Sequence, residues 1–148
     1  MRKVLQTTQG LRGNCFQACV ASILGVELDA VPRFRHPVSK KKRKRLKKGL
    51  NGWQLYLLHL QNEYLPSVGY EMMDAIVDIN GGLHPQGYSI LAMSAIWRRS
   101  TGEVGAAVAH AVVCKDGKPV WDPIPGNQGA EIMACQPLYW IGIRKIRK

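Results

Sequence analysis

The apolar positions of the chain follow a helical rhythm in its first half and a strand-like one in its second. Across 14–24, Ala18, Cys19, Ser22 and Ile23 recur at a spacing of three to four. This predicts a helix with Asn14 as its N-cap and Gly25 just past its end. "ELDAVP" reads as a short turn that stops at Pro32. Over 51–64, Trp53, Leu57, Leu60 and Tyr64 fall on one face of a second helix. From 88 onward the pattern changes. "YSILAMSAIW" (88–97), "AAVAHAVVC" (106–114), "KPVWDP" (118–123) and "PLYWIGIRKI" (137–146) carry the apolar content of strands, and "KDGK" at 115–118 is a hairpin signal. Helices first and a meander of strands afterwards predict an α+β fold rather than alternating βαβ units.

Length and composition narrow the class. A chain of 148 residues, 46% apolar, is long enough for one domain with its own core, and no repeat or linker divides 1–148. No apolar run approaches the roughly 20 residues of a membrane helix. The N-terminus "MRKVLQTTQG" has no apolar stretch behind its basic residues, so it does not read as a secretory signal. A reducing cytoplasm is the expected location, with Cys15, Cys19, Cys114 and Cys135 as free thiols. No membrane partner and no cofactor are expected.

Charge adds a second feature. Ten of the 21 Lys and Arg residues lie in 33–48, "RFRHPVSKKKRKRLKK", which holds no acid; the rest of the chain carries 11 bases against 10 acids. A nearly neutral body thus bears one strongly cationic insert. Ten like charges in 16 residues repel one another, so the insert is expected as a hydrated loop. One reading is a solvated loop that aids solubility. The other is a contact with an anionic partner, nucleic acid or an acidic protein surface, through Lys40, Lys41, Lys42, Arg43, Lys44, Arg45, Lys47 and Lys48.

Candidate chemistry gathers around three residues in chain order. Cys15 opens the first helix, His110 lies within a strand, and Asp122 follows one hairpin later. This order, with "QGLRGNC" and "HAVVCKDGKPVWDP", resembles the papain-like cysteine hydrolases. In particular it resembles their compact bacterial and phage members, which are related to the bacteriocin-leader peptidases. The resemblance covers 9–25 and 106–125. It implies an N-terminal helix carrying the Cys, packed on an antiparallel sheet carrying His and Asp. It also implies a peptidase, deamidase or transglutaminase-type activity that passes through an acyl-enzyme. Gln9, six before Cys15, has the spacing of the family's oxyanion-hole glutamine. Phe16 departs from the Trp that papain has after its cysteine, and the insert at 33–48 matches no pattern of the family.

The chemistry stands on its own. Backbone N–H groups at a helix start and a neighbouring imidazole both favour a thiolate. A carboxylate on the far ring nitrogen fixes the imidazole's tautomer and orientation. The hairpin decides whether the groups meet. A two-residue "DG" loop pairs Lys115 with Lys118 and, by simple alternation, puts His110 and Asp122 on opposite faces. A three-residue "KDG" loop, or an equivalent bulge, puts them on one face. The sequence permits both.

Other candidates have plainer readings. Cys19, Cys114 and Cys135 read as structural, and Tyr139 and Trp140 as core. His36 and His84 each precede a proline, His59 fits a helix surface, and Asp74 and Asp78 a solvated one. Zinc held by Cys15, Cys19 and a histidine is a rival, but Cys-x₃-Cys lacks a second ligand pair at short spacing. No metal site is expected. A catalytically silent papain-fold protein that binds an anionic partner through its insert is the remaining alternative.

Overall fold

The structure is a computed structural model. It describes residues 1–8, 13–34, 52–73, 84–98, 108–124 and 131–147, with backbone alone at 95–98, 108 and 131–137. The chain is α+β. Helix α1 (Cys15–Leu24) leads into a 3₁₀ turn at Leu28–Ala30. Helix α2 (Gly52–His59) continues through a π-helical segment at Leu60–Tyr64 into the short α3 (Leu65–Ser67). Five strands follow: β1 (Tyr70–Met72), β2 (Tyr88–Arg98), β3 (Val108–Lys115), β4 (Lys118–Trp121) and β5 (Glu131–Lys145). They form one sheet in the order β1-β5-β2-β3-β4, each neighbour antiparallel to the next.

Helix α1 is buried from Phe16 to Ile23, and Ala18, Cys19, Val20 and Ala21 have no exposed surface. Small side chains let the helix come close to β3 and β2. The helix-side core joins Val20, Ile23, Tyr56, Leu60, Leu65, Ile90, Val113, Ile141 and Ile143. Each fully buried aliphatic side chain of this kind contributes about 1.5–3 kcal/mol. Leu91, Met93, Val112, Cys114 and Trp140 form a separate buried cluster, offset by one residue along the strands as a pleated sheet requires. His59 is exposed and pairs with Glu63 four residues on, a solvated helix contact. Among the described residues, no helix is long and apolar enough to cross a membrane.

Three expectations need correction. Gly25 ends α1 in the left-handed region as predicted, but Asn14 makes no side-chain cap. Its Oδ1 instead accepts the N–H groups of Thr7 and Thr8, both at 3.0 Å, and its Nδ2 donates to the Thr7 hydroxyl. An Asx side chain serves whichever unpaired donors lie nearest, and here those belong to the preceding segment. Strand β5 begins at Glu131 rather than 137. Pro137, which looked like a strand start, pairs with Met93 beside a register shift, a position where sheets accommodate proline. Third, β1 was not predicted; three residues are too few to show a period. Residues 35–51, with His36 and the cationic side chains Lys40–Lys48, lie outside the described residues, as do Asp74 and Asp78.

Candidate active site

Cys15 is the first residue of α1 and is half-buried. One turn on, the Cys19 thiol donates to the Ala111 carbonyl of β3 at 3.4 Å, seating the helix beside His110, the residue before Ala111. Because i and i+4 share a helix face, Cys15 meets the sheet one turn before Cys19 does. Among the described residues, Asn14 makes no side-chain cap at this helix start.

The hairpin resolves the two alternatives in an unexpected way. Lys115 pairs with Lys118, and Asp116 and Gly117 both have positive φ, so the turn is the two-residue form. Cys114 then pairs with Pro119, but Val113 pairs with Trp121. Val120 is therefore an extra residue, a bulge that resets the alternation. Asp122, just past β4, lies with its Oδ1 3.1 Å and Oδ2 3.2 Å from His110 Nε2. Its Oδ1 also accepts the Ile124 N–H at 2.9 Å across Pro123, an Asx turn that fixes the carboxylate.

His110 is buried, and besides Asp122 it feels the Cys15 side chain. Burial alone lowers the imidazole pKa. The hydrogen bonding to Asp122, the influence of the Cys15 side chain, and the charges of both more than offset this and raise it to about 9. The imidazole is thus built to hold a proton next to a sulfur. Burial pushes the thiols of Cys19 and Cys114 the other way, Cys19 well above its ordinary value and Cys114 to about 11.

The N-terminal segment fastens the two halves of the site. Val4 N–H donates to the Ser22 hydroxyl of α1 at 3.0 Å, and the Val4 carbonyl accepts the Trp121 indole N–H at 3.2 Å. Gln6 N–H donates to the Pro123 carbonyl at 2.8 Å, next to Asp122. Gln9 lies outside the described residues, although Thr8 before it is tied to Asn14. The structure thus brings His110 and Asp122 into contact, with Cys15 close enough to act electrostatically on the imidazole; Gln9 is not among the described residues. His84 instead lies near Trp140, its ring tilted against the indole at 6.3 Å between centres. Among the described residues, no group of three His, Cys, Asp or Glu side chains is placed to hold a metal.

Two aromatic residues near the thiol were not read from the sequence as functional. Trp53 packs edge-on against Phe16, and its indole N–H donates to the Tyr139 hydroxyl at 2.9 Å. The spacing of Trp53 showed a helix face, and Tyr139 lay in an apolar strand. Neither pattern reports a contact between elements 86 residues apart. A small depression, partly open to solvent, lies beside the helix start, lined by Gly13, Asn14, Phe16, Phe34, Trp53 and Tyr56 among others. Comparison of the chain with protein-family models, with curated proteins and with solved structures found no match.

Proposed function

We propose that the protein is a papain-like cysteine hydrolase or acyltransferase acting on an amide or isopeptide bond, with peptidase activity as the favoured form. Cys15 is the nucleophile, His110 the base and acid, and Asp122 the residue that orients His110. The observation that carries this reading is the bonding of His110 to both carboxylate oxygens of Asp122, with Cys15 at the start of α1 acting on the same imidazole.

The proton moves from the thiol to His110, and the sulfur attacks the carbonyl carbon. A C–S bond forms and the carbonyl electron pair moves to oxygen. The Cys15 N–H and, on the family resemblance, the Gln9 amide receive that oxyanion. The oxygen's electron pair then returns, the C–N bond breaks, and His110 delivers its proton to the leaving amine. Water, deprotonated by His110, attacks the acyl-enzyme and releases the acid and the thiol. An amine in place of water gives acyl transfer, and ammonia as the leaving group gives deamidation. The described cysteines Cys15, Cys19 and Cys114 are all free thiols, which fits a reducing cytoplasm.

The confinement of ten cations to 33–48 favours a second, compatible reading, in which the insert binds nucleic acid or an acidic protein face. The catalytic proposal is tested by incubating the protein with a pool of synthetic peptides and reading cleaved, deamidated and transamidated products by mass spectrometry. Wild type is expected to form products that Cys15→Ala and His110→Ala do not. No product from wild type, or product formation that survives Cys15→Ala, would overturn it.

A further inference from the structure

Tyr139 of β5 pairs with Ala92 of β2, which pairs with Ala111 of β3. The phenol thus stands on the same cross-strand row as the residue next to His110, two strand spacings or roughly 10 Å away along the backbone. Its ring packs against the helix-side core together with Cys15 and Trp53. The Tyr139 hydroxyl accepts the Trp53 indole N–H at 2.9 Å and keeps its own hydrogen, for which no acceptor stands among the described residues. Trp53 is itself held by edge contacts to Phe16, at 4.9 Å between ring centres, and to Phe34, at 5.3 Å. Phe16 follows Cys15 in the chain, so the indole that aims the hydroxyl is braced against the turn bearing the thiol.

Burial pushes the Tyr139 pKa up, the Trp53 hydrogen bond works against it, and the charge of Cys15 adds to the rise. The phenol therefore stays protonated where a thiolate attacks, and it lies within the field of that sulfur. An N–H donated to a hydroxyl oxygen polarises the O–H and makes it a stronger donor.

We infer that Tyr139 is a further catalytic residue whose O–H, aimed by the Trp53 indole, donates to the carbonyl oxygen on which charge develops as Cys15 attacks. This rests on the acyl-transfer reading above. The hydroxyl transfers no proton; it stabilises the oxyanion while the C–S bond forms and until the leaving group departs. Trp53 acts through Tyr139 and is a positioning residue.

Two reagents on one thiol test the assignment. Iodoacetamide alkylates Cys15 by displacement at a saturated carbon, releasing iodide with no oxyanion. p-Nitrophenyl acetate acylates it through a tetrahedral oxyanion and releases p-nitrophenolate. In Tyr139→Phe the acylation rate of Cys15 is expected to fall about 10–100-fold, with alkylation unchanged. Trp53→Phe keeps the hydroxyl but not its orienting donor. Acylation should fall there by a smaller factor, again with alkylation unchanged, which keeps the assignment testable if Tyr139→Phe does not fold. Unchanged acylation in the variants, or an equal fall in both reactions, would overturn it; the equal fall is what a purely structural role gives. Wild type that acylates Cys15 no faster than His110→Ala would instead sink the hydrolase reading itself, and this assignment with it.

Discussion

Cys15 and Cys19 sit one turn apart on the same helix and lead different chemical lives. Cys19 has no exposed surface, gives its hydrogen to the Ala111 carbonyl, and has a pKa raised well above the ordinary thiol by burial. Cys15 is half-buried at the start of the helix, which Asn14 leaves uncapped, and acts on the imidazole that Asp122 holds. A shift of about 5.4 Å along the axis separates the two. The lesson is that the residue type does not make a nucleophile. The sheet that buries the second turn of α1 carries His110, which on the proposed reading serves the first turn as its base.

The contrast breaks most visibly if the two cysteines are exchanged for alanine one at a time. Cys15→Ala is expected to lower peptide turnover by on the order of 10⁶-fold, as loss of a nucleophile does in comparable triads, with little change in stability. Cys19→Ala should leave turnover near wild type and cost about 1 kcal/mol in a urea denaturation curve, for a lost buried atom and hydrogen bond. Comparable activity loss in both would mean that the helix face, and not the first turn, carries the function.

The next effect concerns the far side of His110. Asp122→Asn is expected to reduce kcat by up to about 10⁴-fold, because the imidazole loses the partner that sets its tautomer. Deleting Val120 sharpens this. It removes the bulge, restores plain alternation after the two-residue turn, and should swing the Asp122 carboxylate off His110 with an activity loss as large as that of Asp122→Asn. A crystal structure of the deletion variant with the His110–Asp122 hydrogen bond intact would show that the bulge does not set the register.

A smaller effect appears in stability against pH. The His110 pKa is raised in the folded protein to about 9, from 6.5. The protonated imidazole is thus bound more tightly in the folded state. Its contribution is fully present below about pH 6.5, declines as pH rises, and is gone above about pH 9. The loss is on the order of 3 kcal/mol across that window. Urea unfolding at pH 6 and pH 9 should show it in wild type, and Asp122→Asn should flatten the difference. Equal slopes in the two proteins would contradict the assigned role of Asp122.

The least effect on folding belongs to the cationic insert. Replacing Lys and Arg in 40–48 by Ser or Gln is expected to shift stability by no more than about 0.5 kcal/mol, as for surface substitutions generally. Binding to a nucleic acid or acidic protein should weaken in that variant, with a shallower dependence on salt. A large loss of stability would mean that these side chains are packed.

Much of this layout was legible in the sequence because it is local. The 3–4 spacing of Ala18, Cys19, Ser22 and Ile23 marked α1, and the apolar runs marked β2, β3 and β4. The helix start at Cys15, with His110 and Asp122 in order, could be read for the same reason. What could not be read depended on contacts between distant segments. Asn14 chose Thr7 and Thr8 over the helix it precedes. The Val120 bulge leaves no residue pattern, since "KPVW" is an acceptable strand with or without it, yet it decides whether Asp122 meets His110. Tyr139 looked like core because its strand is apolar, and only the reach of Trp53 across the fold marks its hydroxyl.

The central claim is that His110 activates Cys15, and the most direct measurement is a brief iodoacetamide pulse below pH 7 followed by peptide mapping. The account predicts that Cys15 takes the label well ahead of Cys19, Cys114 and Cys135, and that His110→Ala slows Cys15 to the rate of an ordinary accessible thiol. Exposure alone would survive that substitution, whereas activation would not. Equal labelling of Cys15 and Cys114 in wild type, or a Cys15 rate indifferent to His110→Ala, would contradict the claim.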